Sequence, residues 1–527
     1  MPNRTQVIIV GGGPVGVGLA VELGLRGVSC TLVERRTKLQ NIPKGQNLTQ
    51  RTLEHFYFWG IVNELRAARS MPDKYPIGSV TAYKNMMSKY WYAPPGRETV
   101  QSYYFEENDR LPQYSLENVL RDKASSLPNV SLLYGHTVRD VKQNAQGAYV
   151  TVVDDSLPGI EIIHEADYVV GCDGAHSLVR DLASIERRGS DFDQKMLLAV
   201  FRSKELHQAF QRFPERTTYR ALDPEFQGYW MFFGRVDVGE EWFFHAPVPL
   251  DTTTENYDFQ ILLNRAAGFE FKAEFEHVGF WDLKVSVADK YQVGRVFIAG
   301  DAAHSHPPYG GYGLNNGLED ITNLGWKLAS VLQGWGGDDL LASYSDERRP
   351  IFWETGEDFI AFGINQDREF LNNYSPDKNK TEFETQWKAA SIANRVSTYE
   401  PNYEGSAIIE GPKGGVSSAH GSHMFLARPG HHLAPQPLSS GKLLAAELGR
   451  DFTLLAFSAP NGAIAAFQKA ATIWNMPLKF IEDSFAGGRE KYGARLILVR
   501  PDQYVAWVGD NQPNDMNALV KKCIGHV

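Results

Sequence analysis

The sequence predicts an α/β protein: a Rossmann-like nucleotide-binding unit interleaved with an antiparallel-sheet domain, followed by a smaller terminal domain. Three observations carry this. A strand–glycine turn–helix–strand pattern opens the chain, two later apolar strands run into glycine turns that hold an aspartate, and aromatic-rich alternating segments lie between them. The length, 527 residues, suits two or three domains. Hydrophobic residues make up 43% and charged residues 22%, an ordinary globular balance. The net charge of −10 is spread without a basic run, which disfavours nucleic acid as a partner. Cys30, Cys172 and Cys523 form no C-x-x-C pair, and a reducing, cytoplasmic setting is expected.

Taken in order, Gln6–Val10 is a short apolar run closed by Gly11, the pattern of a buried parallel strand. In "GGGPVG", Gly11, Gly13 and Gly16 satisfy G-x-G-x-x-G, with Val15 inside the turn; Val15, Leu19 and Leu23 then recur at helical spacing. The next strand, "VSCTLVE", ends at Glu34. This is the order a dinucleotide fold requires: Gly11 for the turn, Gly13 for backbone approach to a pyrophosphate, Gly16 for helix–strand packing, and Glu34 for a ribose. The helix start offers unpaired N–H groups to phosphates. FAD and NAD both remain open at this point. Arg35 and Arg36 could address a 2′-phosphate or be a solvated pair beyond the strand, and Arg35 is kept as a candidate. The apolar stretch "VIIVGGGPVGVGLAV" is not read as a signal peptide, because Glu22 and Arg26 interrupt it and no A-x-A site follows. No run approaches the roughly 18 apolar residues of a membrane span.

"GSVTAYKNMMSKYWYAPPGRETVQSYYFEE" reads as two strands around a Pro-Pro-Gly turn. "ADYVVGCDGAHSLVRDLASI" is a strand, then Gly171 and Asp173–Gly174, then a helical pattern. "FQGYWMFFGRVDVGEEWFFHAPV" predicts two strands of a second, antiparallel sheet, whose aromatic face would suit a flat apolar substrate. "GRVFIAGD" is a strand ending in Asp301. "GLNNGLEDITNLGWKLASVL" is a helix with Asn315 or Asn316 as cap and Gly334 as stop. Between them, Asp301, His304 and His306 have metal-ligand residue types, but that explanation leaves Pro307, Pro308 and the glycines without a role, and no metal is expected. Prolines that fix φ and glycines that allow close approach fit a backbone cradle for a flat ring. His304 reads as a packed, hydrogen-bonded histidine. Residues Asn365–Ser418 look like a peripheral helix and linker, and "FTLLAF" and "RLILVRPDQYVAW" are strands of a last domain.

Together "GGGPVG", "GCDGAHSLVR" and "GDAAHSHPPYGGYGLNNGLEDITNLGWKLA" resemble, in kind and order, the motifs of the class A flavoprotein aromatic hydroxylases, the family of p-hydroxybenzoate hydroxylase and phenol hydroxylase. "IPKGQNLTQRTLEHF" and "LPQYSLENVL" resemble further family segments, and the last domain resembles the thioredoxin-like C-terminal domain of phenol hydroxylase relatives. The resemblance implies FAD as cofactor. It puts Asp301 on the ribityl chain, Glu34 at the ribose, Lys44 near the pyrophosphate and Gln113 on the phosphate side. Asp173 would support the pyrophosphate and a passing nicotinamide cofactor, Gly313–Leu314–Asn315 would start a helix aimed at the flavin pyrimidine, and Arg51 is a further cofactor candidate. It divides the chain into an FAD domain (1–75, 108–190 and 285–365), a substrate sheet domain (76–107 and 191–284), a helical and linker segment (366–418) and a thioredoxin-like domain (419–527). That last domain lacks C-x-x-C and so is assigned to assembly or support, with a homodimer as one form this could take.

The implied activity is hydroxylation of a phenolic or related aromatic small molecule through a flavin hydroperoxide, with NADPH or NADH as transient hydride donor and O2 as oxidant. Epoxidation, decarboxylating hydroxylation and non-catalytic flavin binding are the rivals. A phenol reacts faster as its anion, so a base is wanted. Family members carry an acid where this chain has Gln46, and an amide is no base. His306 is the preferred candidate because histidine titrates near neutrality. Tyr229 and His245 are alternatives, and Pro308 could contribute its carbonyl.

Overall fold

The structure, a computed structural model, describes residues 3–157, 159–393 and 396–526. Val7–Val10 are buried, as a strand covered on both faces must be. The strand Asn3–Val10 pairs in parallel with Cys30–Glu34 on one side and Glu161–Gly171 on the other. Val130–Tyr134 and Val296–Ile298 extend the parallel sheet outward, and Gln292–Val293 closes one edge antiparallel. The hairpin His136–Gln143 and Ala148–Asp154 extends the N-terminal half of Glu161–Gly171. Three helices pack together over this sheet: Pro14–Leu25, Gln113–Ser125 and Tyr312–Leu332.

A seven-stranded sheet stands beside it, in the order Glu274–Lys284, Asp191–Arg202, Glu241–Val248, Met231–Arg235, Thr218–Leu222, Ser79–Tyr83 and Trp91–Tyr92. Every neighbouring pair is antiparallel except Thr218–Leu222 with Ser79–Tyr83. The period-two rule sorts its aromatic residues. Phe201, Phe233, Trp242 and Phe244 face a core with the helix Phe259–Ala267, while Leu198, Phe232 and Phe243 face the other way, towards the cleft. The two strands expected around Pro94-Pro95-Gly96 are not formed as such. Both strands, Ser79–Tyr83 and Trp91–Tyr92, precede that turn, and a 3-10 helix, Arg97–Tyr103, follows it. Prolines end the edge strand because they cannot donate to a ladder.

The last domain places Phe452–Phe457 parallel to Leu478–Asp483 across the helix Ala463–Ile473, then adds Leu496–Val499 and Val505–Gly509 antiparallel, with Met516–Cys523 behind. This mixed arrangement agrees with a thioredoxin-like unit. The segment read as linker is more ordered than expected. It carries the helix Lys380–Ile392 and an antiparallel pair, Tyr399–Tyr403 with Ser417–His420, that packs on the helix Asp338–Glu354.

Buried charges join the terminal domain to the helices beneath it. Arg500 donates to both oxygens of Glu347 at 2.7 and 3.0 Å and to Asp502; Lys327 Nζ lies 2.7 Å from Glu347 Oε2. All four side chains are fully buried. Among the described residues no helix is long and apolar enough to cross a membrane.

Candidate active site

A cavity of about 1780 Å³ opens between the two sheets. One end is the glycine turn. Gly11 has φ of +106°, and a Cβ there would stand 2.3 Å from the Cys172 carbonyl oxygen, so only glycine fits. A Cβ on Gly16 would meet the Gly11 carbonyl at 1.9 Å. Gly13, Val15, Lys44 and Gln113 line this end, and a Cβ on Gly13 would meet nothing within 4 Å, so its backbone faces open space. Asp301 lies deep in the cleft with its side chain exposed to the cavity. Its carboxyl is held above the usual range by burial among the walls, against the pull of His304, Arg187 and Lys44.

Past Asp301 the wall is His306, Pro308, Gly313 and Leu314. The helix starts at Tyr312, capped by Gly311 in the left-handed region at φ 69°. Asn315 and Asn316 are therefore not caps but sit one turn inside, buried. Glycine had already reversed the chain, which freed Asn315 to tie the segment near Gln46 to the helix. Its Oδ1 accepts from Thr49 N at 2.9 Å and Thr52 Oγ1 at 2.6 Å, and its Nδ2 donates to the Asn47 carbonyl. Asn315 does not line the cavity.

The far end is aromatic. Leu198, Phe232, Phe243, His245 and Trp281 come from the seven-stranded sheet, Trp230 from just before its strand Met231–Arg235, and Trp387, Ala389 and Ala390 from the helix Lys380–Ile392. Trp230 stacks on Tyr309 at 4.2 Å. The helical wall escaped sequence reasoning. Its one signal is Phe383 and Trp387 at i, i+4, both buried in a polar stretch.

Several sequence candidates lie elsewhere. Glu34 does not line the cavity: its Oε2 accepts from Gly12 N at 2.6 Å and braces the glycine turn. Arg35 is exposed beyond the strand. Asp173 braces the start of the helix Leu178–Leu182, accepting from Val179 N at 3.1 Å and from the Oγ of the capping Ser177. Arg51 is turned away, donating to Gln503 Oε1 at 2.8 Å and the Asp502 carbonyl, with Glu54 and Glu319 beside it. The buried acids and the terminal domain claim its guanidinium. Tyr229 faces away too, donating to the Phe192 carbonyl at 3.4 Å under the Arg368 guanidinium.

The two candidate bases, His306 and His245, are held below the neutral range. Burial lowers His306 to about 4 and His245 to about 3. In neutral His306, Nδ1 bonds the Pro307 carbonyl as donor, which leaves Nε2 as a buried acceptor without a partner among the described residues. His245 Nδ1 accepts from Trp281 Nε1 at 3.2 Å. Gln46 donates to the Pro43 carbonyl, and its Oε1 is a second buried acceptor without a partner among the described residues. His304 is committed to packing: its Nε2 lies 2.6 Å from Asp320 Oδ2 and its ring stacks on Phe352 at 3.6 Å. Asp320 Oδ2 also accepts from Gly300 N at 3.1 Å, and Arg348 bonds its other oxygen, so the turn bearing Asp301 is fixed from below.

These features fit a flavin dinucleotide. The cavity exceeds the roughly 300–1,000 Å³ of a single-ligand site. It has an open glycine backbone and a lysine at one end, an uncovered carboxylate midway, and a helix start beside two unpaired acceptors.

The family defined by an FAD binding domain matches residues 4–358, and the C-terminal domain of aromatic-ring hydroxylases matches residues 426–526. The chain is 28% identical to the FAD-dependent monooxygenase apdD of Emericella nidulans, over 97% of this chain and 88% of that one. It is also 28% identical to a 4-methyl-5-nitrocatechol 5-monooxygenase of a Burkholderia species, over 98% and 96%. A structure of RebC with bound 7-carboxy-K252c superposes over 100% of both chains, with a TM-score of 0.85 at 28% identity. The flavin-dependent monooxygenase PieE, at 22% identity and a TM-score of 0.85 over 99% of each chain, shares the fold.

Proposed function

The chain belongs to the FAD-binding aromatic-ring hydroxylase family, and from that premise we propose that it consumes NADH or NADPH and O2 to hydroxylate a phenolic or related aromatic small molecule. One observation carries the proposal: a nucleotide-type turn, an uncovered carboxylate and an aromatic wall share a single cavity. Two of the relatives name aromatic compounds, a nitrocatechol and 7-carboxy-K252c.

FAD, when bound, supplies the redox chemistry that activates O2 and delivers one oxygen atom to an electron-rich ring. The chain's residues do the rest. Gly13, Val15 and Lys44 hold the pyrophosphate, Asp301 accepts from the ribityl hydroxyls, and Gln113 supports the phosphate end. The start of the helix Tyr312–Leu332, through Gly313 and Leu314, offers N–H groups and its dipole to negative charge on the ring system. Phe232, Phe243, Trp281 and Trp387 hold the substrate ring and exclude water.

His306 Nε2 and Gln46 Oε1 are the acceptors for a substrate hydroxyl. With its conjugate acid near 4, His306 cannot hold a proton as imidazolium at neutral pH. It therefore orients the O–H bond and draws electron density into the ring without full deprotonation. The unpaired cysteines, two of them buried, support the reading of a reducing, cytoplasmic setting.

The test is a screen of phenols against the purified yellow protein, following NADH and NADPH oxidation with peroxide measured alongside. One atom of ¹⁸O from ¹⁸O2 on a ring carbon is expected. Colourless protein that takes up no FAD, or NAD(P)H oxidation that no aromatic compound stimulates, overturns the assignment.

A further inference from the structure

Arg110 lies at the boundary between the main cavity and a small side pocket and lines both. It is 2% exposed, yet among the described residues no carboxylate pairs with it. One terminal nitrogen donates to Asn47 Oδ1, the other to the Arg235 carbonyl at 2.8 Å, and Nε–H is buried without a partner among the described residues. Asp109, its neighbour in sequence, is turned to Arg69 and to the Arg110 backbone N–H. The charged group that acts on it is another cation, Arg235, itself 3% exposed and held by Tyr219 Oη and His207 Nδ1. Tyr75, the other group facing it, is held neutral, its phenol raised to about 12. Burial beside a like charge lowers the Arg110 guanidinium to about 9. A desolvated cation without a counter-ion is costly unless an anion arrives to pair with it. Its guanidinium carbon lies 5.7 Å from the centre of the Phe243 ring, which belongs to the aromatic wall of the cleft.

We propose that Arg110 is a specificity-determining residue that binds the carboxylate of an aromatic acid while its ring lies on the Phe232–Phe243 wall. This rests on the assignment of the cleft as a flavin hydroxylase site and narrows its substrate class. A planar guanidinium whose Nε–H has no acceptor among the described residues suits a carboxylate, and Phe243 beside it suits the attached ring.

The experiment titrates the FAD-loaded protein with 2-naphthoate and with neutral 2-naphthamide, following the perturbation of flavin absorbance, in wild type, Arg110→Gln and Arg110→Lys. The wild type should bind the acid about tenfold or more tighter than the amide, as a charge-assisted hydrogen bond implies. The preference should fall to near unity in Arg110→Gln and be kept in part in Arg110→Lys. Should Arg110→Gln fail to retain FAD, the lysine variant decides: a preference equal to the wild type's overturns the proposal, and a reduced one supports it. Equal binding of acid and amide by wild type overturns it, as does displacement by inorganic phosphate without any naphthoate preference. A shift of the flavin potential in Arg110→Gln with the naphthoate preference unchanged assigns the cation to the cofactor and also overturns it. Failure of the hydroxylase assignment is distinct, since it shows as no FAD uptake or no aromatic-stimulated NAD(P)H oxidation before any acid is compared.

Discussion

His306 shows how environment overrides residue type. Sequence makes histidine the natural neutral-range base, but burial disfavours the imidazolium and holds it near 4. Product formed per NAD(P)H consumed should therefore show no inflection between about pH 6 and 8 from this residue, and should fall only as pH approaches 4. An inflection near 6.5 that disappears in His306→Ala would contradict this. His306→Ala should still bind FAD but release more peroxide, because the substrate hydroxyl loses the acceptor at Nε2. Asp301 acts at a different point. Asp301→Ala should weaken FAD retention by tenfold or more during gel filtration, a charged hydrogen bond being worth about 1.5–3 kcal/mol. Normal flavin content after dialysis would remove Asp301 from the cofactor site.

Single elements were legible in the sequence where their cause is local. The glycine turn after Asn3–Val10 and the helix before Gly334 follow from strand length, glycine spacing and a 3.6-residue period. The helix Lys380–Ile392 was legible only as a peripheral helix, not as a wall of the cavity. Its Phe383 and Trp387 pack on Tyr83, Tyr92, Leu222 and Trp230, all more than 150 residues away in sequence, and no local period reports such a partner. Asn315 misled for a similar reason: asparagine favours caps, but the turn at Gly311 had already started the helix. Residue type suggests Tyr229 and the family resemblance suggests Arg51, and neither fixes which way a side chain points. The helix Lys380–Ile392 thus becomes the element to test. Trp387→Ala should raise KM for a bulky aromatic substrate several-fold and increase peroxide release, with FAD affinity unchanged, since Trp387 closes the aromatic end and not the nucleotide end. Loss of FAD with KM unchanged would mean that the helix serves the fold and not the site.

At the scale of the whole molecule, the terminal domain is tied to the flavin domain by buried charge. Arg500 neutralises Glu347, and Glu347 also receives Lys327 Nζ, Asn323 Nδ2 and Ser406 Oγ. Next to it in the helix Asp338–Glu354, Arg348 holds Asp320, and Asp320 fixes the turn that presents Asp301. Removing residues after 418 would take the Gln503 and Asp502 acceptors from Arg51 and the Arg500 guanidinium from Glu347, and would uncover Trp326, so it should cost solubility and flavin, not assembly alone. Arg500→Ala tests the link without truncation. Breaking a buried pair costs about 3–5 kcal/mol, so the temperature at which flavin fluorescence is released should drop by several degrees at pH 7. The pH dependence separates lost charge from lost packing. In the wild type the cations hold Glu347 below its ordinary 4.5, so its contribution is complete above that value and is lost only as pH falls through the lower folded value. Without Arg500, desolvation pushes the Glu347 carboxyl upward, and the folded variant gains a proton before the unfolded chain does. The deficit should therefore narrow between pH 7 and 5. A deficit that stays constant across that range would mean that Arg500 acts through its packing against Trp326 and Tyr403, and the charge link between the two domains would fall.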